Sequence, residues 1–229
     1  MLGVIGGMGP LATADFFRKL IDATPARNDD EHIPVLIHSV PQIPSRQAAI
    51  LHAGPSPLPV LLAARDRLLA GGATVLAMPC NTAHYWYDGL VAGCNVPFIH
   101  IVDAVAELLP AEARELGIVA TRATLRTRVF EQRLSLRGIV LTSPDDLTYD
   151  RAVQPAIEAV KRGATREGGQ LLEPVVAAAL DRGAAAVVLA CTELPIALDA
   201  IESPLRTRCI DSTDALARAC VRHWTTRRP

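Results

Sequence analysis

Apolar residues in this chain gather in short unbroken runs instead of alternating with polar ones. The runs are LGVIG (2–6), IPVLIHSV (33–40), TVLAMP (74–79), FIHIV (98–102), LGIVAT (116–121), GIVLTSP (138–144) and AAVVLA (185–190). They are rich in β-branched residues, and continuous runs of this length suit strands buried on both faces. Helix-like segments lie between them, at 11–23, 57–70, 82–92, 103–109, 124–136, 150–162, 168–181 and 211–225. Strands alternating with helices predict an α/β fold with mostly parallel sheets. Gly71-Gly72 and Gly183 stand where helix C-caps would turn the chain into the next strand.

The pattern also repeats. GGATVLAMPC (71–80) aligns without a gap on RGAAAVVLAC (182–191), and GVIGG (3–7) aligns loosely on GIVAT (117–121). Two pseudosymmetric, three-layer α/β lobes are therefore expected, with the active site in the cleft between them. The first covers 1–103 plus 208–229 and carries Cys80. The second covers 104–207 and carries Cys191. RCIDST (208–213) reads as one further strand, after which the C-terminal helix returns to the first lobe. Ligands of open parallel sheets bind beyond the carboxyl ends of the strands, and both cysteines stand at such ends.

Composition narrows the classes. Of 229 residues, 50% are hydrophobic and 21% charged, so the chain can bury a sizeable core. The net charge of −1 supplies no field to recruit nucleic acid or an anionic membrane. The C-terminal Arg-Arg-Pro is too short for a nucleic-acid arm. No apolar run reaches the ~20 residues that span a bilayer. The first residues run straight into a strand without a signal-peptide pattern, so a cytoplasmic protein is expected. The 5 cysteines are an odd number and widely spaced, which points to reduced thiols and away from a disulfide framework.

The matched positions of Cys80 and Cys191 are what burial alone does not explain. Cys94, Cys209 and Cys220 carry no polar motif and read as packing residues. Asn81 and Thr82 after the first thiol, and Thr192 after the second, would open the following helices and offer N–H groups to a carboxylate. Paired thiols suit proton transfer on both faces of one carbon, one removing a proton and the other supplying one, which is racemisation without a cofactor. The developing charge then needs preorganised donors. Arg46, in PQIPSRQAAI (41–50), is a candidate clamp for a side-chain carboxylate or else part of a structural ion pair. Lys161 is a helix-end cation.

The same residues admit rival chemistries. Gly7, Gly9 and Ala12 fit G-x-G-x-x-A, but no acidic residue ends the second strand, so a tight substrate-facing turn is favoured over a nucleotide site. Cys80 and His84 have C-x3-H spacing with His100 nearby, yet no second close pair completes a zinc site; no metal is expected. A Cys–His hydrolase built on Cys80 with His84 or His100 leaves the repeated Cys191 unexplained. A pyridoxal enzyme needs a Schiff-base lysine, and the only two lysines, Lys19 and Lys161, have no convincing pocket context. A non-catalytic amino-acid-binding protein remains as the reading outside the enzymes.

GVIGGMGPLATADFF, PQIPSRQAAI, MPCNTAHYWY, GIVAT and VLACTELP together resemble the aspartate/glutamate racemase family, in its aspartate-racemase branch. The resemblance covers nearly the whole chain. It implies a cofactor-independent racemase with Cys80 and Cys191 as the two bases, commonly a homodimer acting on a small amino acid. It implies substrate contacts at Met8, Gly9, Asn81, Thr82, Ala83, Thr121 and Thr192, with Arg46 and Lys161 associated with an acidic side chain. The chain departs from the glutamate racemases, which are alike in an Asp-Ser near the first turn and a Cys-Thr-His second motif. Here those places read Gly-Met-Gly-Pro and Cys-Thr-Glu. Aspartate is therefore the expected substrate and glutamate a second one. Broad-specificity racemases and maleate or hydantoin isomerases of the same superfamily are the alternatives.

Overall fold

The computed structural model describes residues 1–226. The Arg-Arg-Pro tail lies outside the described residues. Contacts divide the chain into two compact units, Met1–Ala104 with the described residues from Thr213 onward, and Val105–Ser212.

The first unit runs β1 (Leu2–Gly6), α1 (Pro10–Ala23), β2 (Val35–Ser39), α2 (Arg46–Leu51), α3 (Leu58–Ala70), β3 (Val75–Ala77), α4 (Tyr87–Val91), β4 (Phe98–Ile99) and the start of α5 (Ile101–Glu107). The second runs β5 (Glu115–Ala120), α6 (Arg122–Thr127), α7 (Val129–Leu134), β6 (Val140–Thr142), α8 (Asp146–Thr148), α9 (Gln154–Lys161), α10 (Thr165–Asp181), β7 (Val187–Ala190), α11 (Glu193–Ala200) and β8 (Cys209–Asp211). Helix α12 (Ser212–Thr225) then joins the first unit from Thr213 onward.

Each unit holds a four-stranded sheet, ordered β2-β1-β3-β4 in one and β6-β5-β7-β8 in the other, and every pairing is parallel. The central strands β1, β3 and β7 are buried along their whole length, as unbroken apolar runs require when helices cover both faces. The repeat read from the sequence extends to register. Gly3 pairs with Leu76 in the first unit, and its aligned counterpart Gly117 pairs with Val187 in the second. A Cβ on Gly3 would stand 2.7 Å from the Ala73 Cβ, and one on Gly117 3.1 Å from the Ala179 Cβ. Both positions need glycine because apolar side chains pack directly on the strand.

The structure redraws several sequence-derived boundaries. FIHIV stops being a strand at Ile99, and Ile101 already opens α5. An apolar run cannot by itself tell a strand end from a buried helix start. Stretch 82–92 is not one helix but a 3-10 turn, Thr82–Trp86, followed by α4. In that turn the His84 N–H donates to the Asn81 carbonyl, three residues back, while the His84 Nδ1 lies 2.9 Å from the Cys80 carbonyl that an α-helix would pair with this N–H. Helix α10 begins at Thr165, three residues before the expected start, its first turns disguised by Gly168-Gly169. The strand expected over 208–213 is β8, but it pairs with β7. Residues 208–212 thus belong with the second unit, not with the first as the sequence reading had it, because backbone pairing holds them there.

Candidate functional site

In the first unit the GGMGP turn is tied down by Thr13. The Gly7 N–H donates to Thr13 Oγ1 (2.9 Å), and that hydroxyl donates to the Gly9 carbonyl (2.9 Å). Pro10 then starts α1 at the position where a missing N–H costs nothing. Met8 is buried, whereas a Cβ built on Gly9 meets nothing within 4 Å, so the turn presents open backbone at Gly9. Thr13 was not among the residues singled out from the sequence. Its signal was the threonine three residues after Pro10, one helical turn into α1.

Cys80 lies three residues past β3, buried, and Asn81, Thr82 and Ala83 after it are buried as well. Thr82 and Ala83 sit in the 3-10 turn, not in a regular helix. His84 does not serve Cys80 as a base. Its Nδ1 meets the Cys80 carbonyl and its Nε2 receives the Ile101 N–H at 3.2 Å, which fixes a neutral ring with the proton on Nδ1. The His100 Nδ1 accepts the Val102 N–H at 3.1 Å. Both imidazoles bond backbone groups, and at His84 both ring nitrogens are taken, so His84 is not available as the base of a Cys–His hydrolase.

Arg46 is the first residue of α2 and half-buried. Its Nη1 donates to the Ile43 and Pro44 carbonyls at 3.0 and 2.9 Å, so part of the guanidinium braces its own loop. It makes no ion pair among the described residues. Of the lysines, Lys19 is buried in an ion pair with Asp15, while Lys161 is exposed in the last turn of α9.

In the second unit Cys191 follows β7 directly and is buried. Its Sγ–H donates to Glu193 Oε2 at 3.0 Å, and the Thr192 hydroxyl donates to the same oxygen at 3.0 Å. Glu193 is itself buried, at 6% exposure, and it was named in the sequence only as part of a motif. The Thr192 hydroxyl proton is therefore engaged, and what Thr192 can offer a ligand is its backbone N–H and its oxygen lone pair. Burial pushes the Cys191 thiol well up from its ordinary value. The Glu193 charge and the hydrogen bond to Glu193 push the same way, while the Lys161 charge and the Glu193 backbone N–H pull it down. Lys161 is thus within electrostatic reach of Cys191. Thr121 caps α6, its Oγ1 accepting the Thr124 N–H at 3.1 Å. The next residue's N–H donates to the buried Tyr149 hydroxyl, which in turn donates to Gln154 Oε1.

All five cysteines are free thiols. Among the described residues no group of three or more His, Cys, Asp or Glu could hold a metal ion, and no helix is long and apolar enough to cross a membrane. A cavity of about 710 Å³ in the second unit is lined by Asp145, Arg151, Pro174 and Arg182 among others, and by none of the residues above.

Comparison with known proteins places this geometry. The family model described as Asp/Glu/Hydantoin racemase matches residues 5–220. The broad specificity amino-acid racemase RacX of Bacillus subtilis (strain 168) is 28% identical over 225 residues, covering 96% of each chain. The Picrophilus torridus aspartate racemase is 30% identical, with a TM-score of 0.87 over 99% of this chain and 94% of that one. An aspartate racemase homologue from Pyrococcus horikoshii OT3, at 23% identity, shares the fold with a TM-score of 0.77 over 98% of both chains. A cysteine at the end of the third strand of each sheet, each followed by a threonine-bearing turn, is thus carried on a chain that belongs to the Asp/Glu/hydantoin racemase family.

Proposed function

We propose that the protein is a cofactor-independent amino-acid racemase that interconverts L- and D-aspartate, with glutamate as a second substrate. Cys80 as thiolate takes the Cα proton and becomes a thiol. The electron pair left on Cα spreads into the α-carboxylate as an enediolate-like dianion. Cys191 then gives its Sγ proton to the opposite face of Cα and becomes the thiolate, and the reverse reaction exchanges the roles. No electron or atom enters from outside.

The observation that carries this reading is the equivalence of the two thiols. Each stands just past the strand that pairs with the middle of its sheet, at aligned positions of a repeat whose register also agrees. A protonated resting state of Cys191, favoured by burial and by Glu193, suits the donor role. Met8 and Gly9 in the first turn, with Asn81, Thr82, Ala83 and Thr192, would hold the α-carboxylate and the charge that grows on it. Arg46 and Lys161 would meet an acidic side chain, and Thr121 would shape the wall. A homodimer belongs to the same reading and is checked by light scattering.

The name of the RacX relative favours a second reading, a racemase of broad specificity. One experiment addresses both. Protein free of metal and pyridoxal is incubated in heavy water with single enantiomers of aspartate, glutamate and neutral amino acids. Proton NMR and chiral chromatography follow Cα–H exchange and handedness. Deuterium entry with loss of optical purity on aspartate is expected. Equal rates on neutral amino acids would select the broad reading, and no exchange on any substrate would refute the racemase.

A further inference from the structure

We propose that Glu193 is a positioning residue that keeps the proton on Cys191, so that the resting protein carries a proton-donating thiol at that place. The geometry is specific. One carboxylate oxygen receives both the Cys191 thiol and the Thr192 hydroxyl, each at 3.0 Å. That oxygen uses both of its acceptor positions on these two donors. Thr192 holds the carboxylate in place, and the carboxylate orients the thiol. Glu193 is the first residue of α11, and its backbone N–H faces the same sulfur. The sulfur therefore meets an acceptor for its proton from the Glu193 side chain and a donor for its thiolate from the Glu193 backbone.

Among the described residues, charged and titratable groups that act on Cys191 stand on α11, on α9 and in the turn before α9. Glu193 is on α11, Lys161 is on α9, and Tyr149 is in the π-helical turn before α9. Lys161 opposes Glu193, but it is exposed whereas Glu193 is buried against the thiol, so water screens the lysine more. The phenol already accepts the Arg122 N–H and donates to Gln154 Oε1, which leaves its proton committed elsewhere.

The consequence rests on the two-thiol reaction above. If Cys191 holds a proton at rest, the enantiomer taken up without prior proton redistribution is the one whose Cα–H meets Cys80. Glu193 thereby sets, through Cys191, which enantiomer the resting protein is primed for.

The test needs no turnover and so stands apart from the racemase reading. Protein labelled with [3-13C]cysteine is titrated by NMR, with the two resonances assigned from Cys80→Ser and Cys191→Ser. In the wild-type protein the Cys191 midpoint should lie above the ordinary thiol value. Glu193→Gln, which keeps the shape and removes the charge, should lower that midpoint by about one pH unit or more. Glu193→Asp should restore part of the rise. A smaller fall, no change or a rise in Glu193→Gln overturns the proposal. If that variant does not fold, a wild-type Cys191 midpoint at or below the ordinary thiol value overturns it equally.

Discussion

Two glycines of the first turn, two positions apart, should respond very differently to the same added methyl group. Gly7 has φ +94°, a region that costs an L-residue about 1–2 kcal/mol. A Cβ there would lie 2.6 Å from the Val40 carbonyl oxygen and nearer still to the Val40 backbone N and C. Backbone cannot rotate away as a side chain does, so the edge of β2 must move. That shift strains the bond by which the Val40 N–H donates to the Gly6 carbonyl at 3.2 Å, and overpacking of this kind costs about 1–3 kcal/mol. Gly7→Ala should therefore lose roughly 2–5 kcal/mol, a large part of the ~5–15 kcal/mol that holds a domain. Gly9, at φ −102° with nothing within 4 Å of its would-be Cβ, should lose less than about 1 kcal/mol on the same change. Urea unfolding followed by circular dichroism measures both. Gly9→Ala should keep its urea midpoint yet slow aspartate turnover, because its methyl enters the open side of the turn. A Gly7→Ala variant within about 1 kcal/mol of the wild type, or no less stable than Gly9→Ala, would show that the positive φ and the Val40 contact do not govern this turn.

Three further outcomes follow from the site. Cys80→Ser and Cys191→Ser should each abolish racemisation while one of them still eliminates chloride from a β-chloro amino acid, which takes a single base; full racemase activity in either variant, read by chiral chromatography, would remove the two-thiol mechanism. Arg46→Gln and Lys161→Gln should each lower kcat/KM for aspartate at least tenfold relative to alanine, and an unchanged ratio would separate that residue from side-chain recognition. Burial pushes the Cys209 thiol up from 9.0 to about 11, so the unfolded chain releases this proton first and stability falls as pH rises from about 9 through about 11; the urea midpoint of Cys209→Ser should fall less steeply across that window than that of the wild type.

Unbroken apolar runs made the parallel α/β architecture legible, because a strand buried on both faces has no polar position to alternate with. The gapless match of 71–80 on 182–191 made Cys80 and Cys191 legible as equivalents, and the structure carries that equivalence down to the Gly3–Leu76 and Gly117–Val187 pairs. These are local properties, written in the order of residues. The rest depended on partners distant in sequence or on the path of a single hydrogen bond. FIHIV could not announce where its strand ended, and nothing in RCIDST said that β8 would pair with β7 and so draw residues up to 212 into the second unit. His84 had the spacing of a catalytic or metal-binding residue, yet its ring spans the Cys80 carbonyl and the Ile101 N–H, 17 residues from itself. Glu193 stood in the sequence only as part of the Cys-Thr-Glu motif, and only its rotamer, with Cys191 and Thr192 both aimed at one oxygen, gives it a hold on the thiol proton. Hydrophobic period and repeat fix what each segment becomes. Which side chain meets which polar atom is settled by packing, because that choice depends on distances that no spacing along the chain encodes.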